Sequence, residues 1–505
     1  MNPQSYSRRR LLGLLGVAGT AAGLTALSGP AALAGPSLLA GHTPMTRPGS
    51  LRGPGSLAGP AAPAAAGPED GAAPDWAGVA EEVRAEFRWA WRNYAARALG
   101  YDQILPVSGG HSDFFAPGHP VGLSLIEALD TLWVMGLDDE LHQGIDWIRR
   151  KLPNFDIDAS FQVFETTIRV VGGLAAGYYV TGERLLLGLA VDLANRLLPA
   201  FTASPTGLPY RFVNLRTGAV DGPGTNLAEI GSYLPEFGVL SRWTGDGRYH
   251  DAAKRALRAA WDRRTALDLL PYGIHAETGR WTTSTATIGP PADSFYEYLW
   301  GGYRLFGDTE LLHWYQAATA AIMKYQAETV RGSLWFAQVD ANTGARVDRG
   351  QSELAAFYAG LLANSGYLAA ATAYQSSWSA VQDRYGVLPE GIDYASLAVT
   401  SRGNALRPEF VDSALKLWVN TGDERYRRQA YVHYANMKRT SKAAYGYTVL
   451  DDVTSNPPTQ GDFCPGYWWA EQTKYYWLIF SDTDRFDYRD HFLSTEGKIL
   501  LGARR

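Results

Sequence analysis

Cysteine is almost absent from this 505-residue chain. Cys464 stands alone, which excludes an internal disulfide framework, a multi-cysteine zinc site and an iron–sulfur cluster. An excess of one charge is lacking too: 46 basic residues face 51 acidic ones, for a net charge of −5, and this argues against a basic-patch nucleic-acid binder. Histidine is sparse, with nine residues scattered singly. No His-Glu-x-x-His helix, Gly-x-Ser-x-Gly turn or Gly-x-x-x-x-Gly-Lys loop occurs, so the usual zinc, serine-nucleophile and phosphate-cradling motifs find no support. Beyond the N-terminus, no stretch is expected to be long and apolar enough for a permanent transmembrane segment. What the chain does have is 46% hydrophobic and 12% aromatic residues, a globular composition well away from that of disordered chains.

The N-terminal segment reads Ser7-Arg8-Arg9-Arg10-Leu11-Leu12, followed by a Gly/Ala-rich apolar run to Ala34 without an acidic residue. Paired arginines before such a run are expected to form a twin-arginine export signal over 1–34, with Ala32-Leu33-Ala34 as the small-x-small cleavage pattern. Gly13, Gly16, Gly19, Gly23 and the Ser28-Gly29-Pro30 break argue against a lasting membrane anchor. Residues 35–74 are Gly, Pro, Ala and Ser with little else, and read as a flexible linker to a catalytic body over 75–505. The expected location is therefore secreted or cell-envelope.

From Asp75 onward one pattern recurs. An apolar, aromatic-rich helix runs into a Gly-Asp-like turn, and an amphipathic helix follows. The turns are Met135-Gly136-Leu137-Asp138, Thr181-Gly182-Glu183, Thr244-Gly245-Asp246, Gly307-Asp308, Ser365-Gly366, Thr421-Gly422-Asp423 and Ser481-Asp482-Thr483-Asp484. Glycine ends one helix in the left-handed conformation, and the acid begins the next beside its positive dipole end. The second helices carry ordinary two-faced patterns, as from Tyr249 to Arg258. The first, as from Phe164 to Val180 and from Phe295 to Phe306, are apolar nearly all round. A helix apolar on every side is buried on every side, so the pairs are expected to form an all-α (α/α)7 barrel with inner and outer rings.

Carboxylates interrupt those buried helices, in or near their first turns: Glu127 and Asp130, Glu165, Glu229, Asp293 and Glu297, Glu353, Glu409 and Asp412, and Glu471. Any one alone reads best as a helix cap. Seven successive inner helices carrying acids at one height converge on one mouth, where they can bind a cation through oxygen or perform acid/base chemistry on an uncharged polyol.

Several blocks resemble the class I α-mannosidases, glycoside hydrolase family 47. They are Ser124-Leu125-Ile126-Glu127-Ala128-Leu129-Asp130-Thr131-Leu132, Val163-Phe164-Glu165-Thr166-Thr167-Ile168-Arg169, Thr225-Asn226-Leu227-Ala228-Glu229, Ala292-Asp293-Ser294-Phe295-Tyr296-Glu297, Leu406-Arg407-Pro408-Glu409, Ala470-Glu471-Gln472-Thr473-Lys474-Tyr475 and Ser494-Thr495-Glu496-Gly497. They stand in family order from about residue 75 onward. The resemblance implies an (α/α)7 barrel and a calcium-dependent (Ca2+), inverting exo-enzyme that removes terminal α-1,2-linked mannose from mannans or high-mannose glycans. It implies Glu165 as general acid, Glu409 as general base and Asp293 as a third catalytic acid, with the roles among the three left open. Inversion requires acid and base to stand about 6.5–9.5 Å apart. By the same resemblance, Thr495 holds calcium through its carbonyl and hydroxyl oxygens. Arg169, Glu229, Glu353, Arg407, Asp412, Tyr467 and Glu471 serve the substrate, with Glu229, Asp412 and Glu471 as supporting or water-holding groups, while the rings of Phe357, Tyr467 and Trp468 are either sugar contacts or core. Arg169 lies one helical turn after Glu165 and is expected to bind sugar hydroxyls or a neighbouring carboxylate.

The chain departs from the processing enzymes of this family at Pro291, where they carry arginine, and at Cys464-Pro465-Gly466. Ser352-Glu353-Leu354-Ala355-Ala356-Phe357-Tyr358, with Leu388-Pro389-Glu390, resembles the degradation-enhancing mannosidase-like branch. An exported bacterial member acting as a monomer on an α-mannoside glycan is the expectation. A mannose-binding, lectin-like protein with a vestigial site and another α/α-toroid glycosidase are the alternatives.

Overall fold

The computed structural model describes residues 74–504. The export signal expected over 1–34 and the linker over 35–74 lie outside the described residues, apart from Pro74.

Among the described residues, seven inner and seven outer helices alternate along the chain. The outer helices are Trp76–Arg97, Asp138–Lys151, Arg184–Leu197, Arg248–Trp261, Thr309–Tyr325, Leu368–Tyr385 and Arg425–Ser441. The inner ones begin at Leu123, Val163, Leu227, Asp293, Glu353, Glu409 and Trp468. The ring closes where the first inner helix, Leu123–Val134, packs against the Trp468–Gln472 turn of the last. The sequence pattern accounts for the layering. Every residue of Leu123–Val134 is buried, whereas Arg248–Trp261 buries a Tyr249, Ala252, Ala253, Ala256, Leu257 stripe and leaves its charged side outward.

The turns are built as their residues dictate. Gly182, Gly245, Gly307 and Gly422 cap inner helices in the left-handed conformation. Asp308 then caps the next helix by accepting the Glu310 and Leu311 amides, and Asp246 and Asp423 accept the amides of Arg248 and Arg425. Close packing within the inner ring also needs glycine. A Cβ on Gly173 would lie 2.7 Å from the Ile126 carbonyl oxygen, so the first two inner helices meet backbone to backbone.

Three features depart from a plain helix-pair reading. Short antiparallel strands fill the connections that run from outer to inner helices and pair one connection with the next, as Ser160–Gln162 with Phe212–Asn214 and Gly350–Ser352 with Gly391–Asp393. All of these lie at the rim where inner helices start. Two inner helices widen into π-helical turns, Thr166–Val171 and Trp468–Gln472, and the third breaks at Ser232-Tyr233 just before Pro235. Finally, Arg184–Thr202 is long and apolar enough by composition to cross a membrane, which corrects the expectation that no such later stretch exists. In the fold its Leu186, Leu189, Ala190, Leu193 and Leu197 face is buried, as an outer-ring helix requires.

A last hairpin, Phe492–Leu493 with Ile499–Leu501, follows the final inner helix and packs among the inner helices Gly172–Thr181, Leu234–Thr244 and Asp293–Phe306. A Cβ on Gly301 would approach the Phe492 ring to 2.8 Å, so the fourth inner helix yields its side chain to the hairpin. The turn of that hairpin, Ser494 to Gly497, therefore reaches the lumen from the end opposite the rim strands.

His433, on the last outer helix, is buried with Nδ1 2.7 Å from the Tyr476 hydroxyl, and burial pulls its pKa down to about 4. The folded protein keeps this ring neutral while the unfolded chain protonates it below its ordinary value. Stability is therefore expected to fall as pH drops from about 6.5 towards 4, by up to about 3 kcal/mol from this residue. Urea titrations at pH 7 and pH 4.5 should show a smaller drop for His433→Gln than for the wild type.

Candidate active site

The inner helices at Val163, Leu227 and Glu353 start directly after a rim strand, and at two of them a short polar side chain satisfies an exposed amide. Asn226 accepts the Glu229 amide at 3.0 Å, and Ser352 accepts the Leu354 amide at 3.3 Å. The carboxylates of Glu229 and Glu353 are thus released from capping duty. Asp293, the first residue of Asp293–Phe306, does hold the Ser294 amide at 3.0 Å.

Arg169 organises one side of the cluster. Its Nε donates to Glu165 Oε2 at 2.7 Å, and its Nη1 donates to Glu496 Oε2 at 2.6 Å and Glu127 Oε1 at 3.3 Å. The rings of Phe114 and Tyr467 each lie 5.5 Å from the guanidinium carbon. Arg169 sits within the first π-helical turn, and the partner found for it is a set of carboxylates. Arg169 thus pairs with three carboxylates, Glu165 among them. Glu229 accepts Gln162 Nε2 at 2.7 Å and Arg211 Nη2 at 2.6 Å. Burial nevertheless raises its pKa, and the nearby Glu165 charge adds to the rise against Arg211.

The opposite side is built around Arg407, which grips Glu390 through Nε at 2.9 Å and Nη2 at 3.1 Å, with Tyr467 packed over it. Tyr467 donates to the Ala405 carbonyl at 2.6 Å. Glu409 opens the Glu409–Thr421 helix, half-buried, within the charge field of Arg407, Tyr467, Glu353 and Glu471. Burial pushes the Glu353 carboxyl well above its ordinary range, helped by Glu409 and Glu390. Glu471 is pushed up likewise by burial, then by Glu496 and Glu409, and it hydrogen-bonds to Glu496 carboxyl to carboxyl. Such a contact requires a shared proton.

The hairpin turn forms the floor. Thr495 donates its hydroxyl to Glu297 Oε2 at 2.8 Å, and burial pushes Glu297 up to about 7, with Asp412 and Asp293 adding repulsion. Asp412 Oδ2 takes Lys416 Nζ at 2.6 Å, while its buried Oδ1 has no hydrogen-bond partner. Beneath the turn, Lys474 Nζ bridges Asp130 Oδ2 at 2.7 Å and the Gly497 carbonyl at 2.6 Å, and Asp130 also accepts the Ile499 amide at 2.8 Å. Lys498 approaches Glu127 Oε1 at 3.5 Å. Glu236, buried and pushed up to about 8, accepts the Tyr298 hydroxyl at 2.8 Å.

Through these contacts Glu165, Arg169, Glu229, Asp293, Glu353, Arg407, Glu409, Asp412, Tyr467, Glu471 and Thr495 fall into one connected cluster. Glu127 and Asp130 sit midway along their helix and anchor the hairpin, which corrects their expected place near a first turn at the mouth. Trp468 is fully buried between Phe87, Tyr447 and Trp469, which places its ring in the core, and Phe357 belongs to the same apolar cluster. Glu496, Lys498, Lys416 and Glu236 went unassigned in the sequence. Lys498 could have been noticed, since a lysine directly before Ile499-Leu500-Leu501 is out of place in an apolar strand. Chemically the cluster offers carboxyl groups in both protonation states, bidentate donors for hydroxyls and a floor of hard oxygen atoms.

A family model for glycosyl hydrolase family 47 matches residues 86–501. The chain is 36% identical over 442 residues to "Alpha-mannosidase I MNS4" of Arabidopsis thaliana, covering 83% of this chain and 69% of that one. It is 32% identical to "ER degradation-enhancing alpha-mannosidase-like protein 2" of Homo sapiens, covering 87% and 77%. The fold is similar to that of an alpha-1,2-mannosidase from Trichoderma reesei, with a TM-score of 0.76 and 23% identity over 85% of this chain and 99% of that one.

Arg169→Met would leave Glu127, Glu165 and Glu496 without their common cation. The expected loss is about 3–5 kcal/mol of unfolding free energy in urea titrations. Arg169→Lys should recover only part of it, because one ammonium cannot span three carboxylates as a planar fork does.

Proposed function

The chain belongs to glycosyl hydrolase family 47, and from that premise we propose that it is an exported, calcium-dependent, inverting exo-α-1,2-mannosidase acting on terminal mannose of mannans or high-mannose glycans. The observation that carries the reading is the gathering of Glu165, Asp293 and Glu409, from three separate inner helices, into one acid cluster floored by Thr495.

Glu165, oriented by the Arg169 Nε, protonates the glycosidic oxygen as the bond to the departing sugar breaks. Glu409 takes a proton from the water that attacks the anomeric carbon from the opposite face, which inverts its configuration. Asp293 holds negative charge beside the developing oxocarbenium ion. Arg407, fixed by Glu390, and Tyr467 present donors and a ring to the sugar, while Glu229 and Glu471 accept from its hydroxyls. Burial raises the Glu353 carboxyl well above its ordinary range, which favours the protonated form that can donate where an ionised acid could only accept.

The floor residues suit a calcium ion. Thr495, Glu297, Asp412 and Glu471 offer oxygen donors and no sulfur or nitrogen, and Asp412 Oδ1 is buried without a hydrogen-bond partner. Thr495 would hold the ion directly, with the acids around it. When bound, calcium would supply a positive centre that fixes the sugar's vicinal hydroxyls against the floor.

Incubation with α-1,2-mannobiose and calcium is expected to release β-mannose first, read by proton NMR. Absence of release with and without calcium overturns the reading. Glu165→Gln is expected to lower kcat by about 10²–10⁴-fold with little change in KM. Chelation of calcium should abolish turnover and lower the melting temperature, both restored on adding calcium back. Export is tested separately: replacing Arg8 and Arg9 by lysine should retain the protein in the producing cell.

A further inference from the structure

Lys416 is a cation that the hydrolysis does not call for. It lies one turn after Asp412 on the Glu409–Thr421 helix, with its side chain only 9% exposed. Its Nζ stands 2.6 Å from Asp412 Oδ2 and 3.8 Å from Glu297 Oε1. The other Glu297 oxygen accepts the Thr495 hydroxyl at 2.8 Å. The ammonium is thus one carboxylate away from the floor threonine.

We propose that Lys416 is a tethered counter-ion that competes with calcium for the floor carboxylates and so sets the metal affinity of the site. The inference rests on the calcium reading above and deepens it. Asp412 and Glu297 stand between Lys416 and the Thr495 hydroxyl, and carboxylates this deeply buried are costly without a cation. Lys416 supplies one positive charge from within the chain. A divalent ion held at Thr495 would supply two, beside the same Glu297 carboxylate and against the repulsion of a fixed ammonium. Lys416 is a positioning residue, acting through Glu297 and Asp412.

A cavity of about 140 Å³ opens beside Lys416, where the fourth and fifth inner helices pack least closely. Thr495 and Glu297 line it together with Asn364, Asn420 and Tyr488, and Arg304 and Arg489 line it as well, so the fixed cations there oppose any retreat of the ammonium from Asp412.

The test compares wild type, Lys416→Met and Lys416→Arg as full-length, calcium-stripped proteins, using titration calorimetry with calcium chloride and thermal melting. Removing the competing charge should tighten the calcium Kd by about tenfold or more. The same change should lower the melting temperature of the stripped protein while leaving that of the calcium-loaded protein near wild type. Lys416→Arg should restore the wild-type Kd. Damage to a merely structural residue moves the Kd the other way, so an unchanged or weaker Kd in Lys416→Met overturns the inference. Should Lys416→Met fail to fold, the ¹⁵Nζ signal of Lys416 in the wild type, assigned by its loss in Lys416→Arg, must shift on adding calcium. A signal blind to calcium overturns the inference as well. If the wild type binds no calcium, the calcium reading fails, and equal melting temperatures for the stripped wild type and Lys416→Met would then overturn the counter-ion role too.

Discussion

The site depends on a β-hairpin held inside a ring of helices by buried charge. Lys474 joins Asp130 of the first inner helix to the Gly497 carbonyl of the turn. Arg169 of the second inner helix grips Glu496, and Lys498 reaches back to Glu127. Charges this deeply buried stabilise a fold weakly in total but penalise any other arrangement severely. Here that penalty fixes the height at which Thr495 meets the acids. An apolar plug of similar volume could fill the barrel equally well, but it would not specify where the turn stops.

The helix starts solve a related problem. A carboxylate near the first turn of a helix is normally drawn into capping, and that would hold its oxygens against the backbone. Asn226 and Ser352 take over this duty, and the acids next to them are left for other partners. The cost is desolvation, visible in the raised carboxyls of Glu229, Glu353, Glu471 and Glu297. Protonated and ionised acids therefore coexist within one cluster, as proton transfer to and from an uncharged sugar requires.

The architecture was readable because each repeat declares itself in local chemistry. Gly182, Gly245, Gly307 and Gly422 mark the helix ends, and the contrast between Leu123–Val134 and Arg248–Trp261 marks the two rings. The widened turns at Thr166–Val171 and Trp468–Gln472 were not readable, because an extra residue in a helical turn leaves the apolar pattern of an all-round buried helix unchanged. The anchoring roles of Glu127 and Asp130 were hidden for a different reason. Their partners Lys474 and Lys498 lie more than three hundred residues away, and no periodicity reports a contact across that distance. Lys416 reads in isolation as one more polar residue on a helix, and only the position of Glu297 gives it meaning.

The place of Thr495 in chain order has a consequence for biosynthesis. The hairpin that carries it is made after all seven inner helices, and the pocket floor exists only once that hairpin has threaded back between them. The ring itself closes only at Trp468–Gln472, so wall and floor are completed within the same last stretch of chain. The hairpin would then take its place as a late folding step, inside a wall of helices already made.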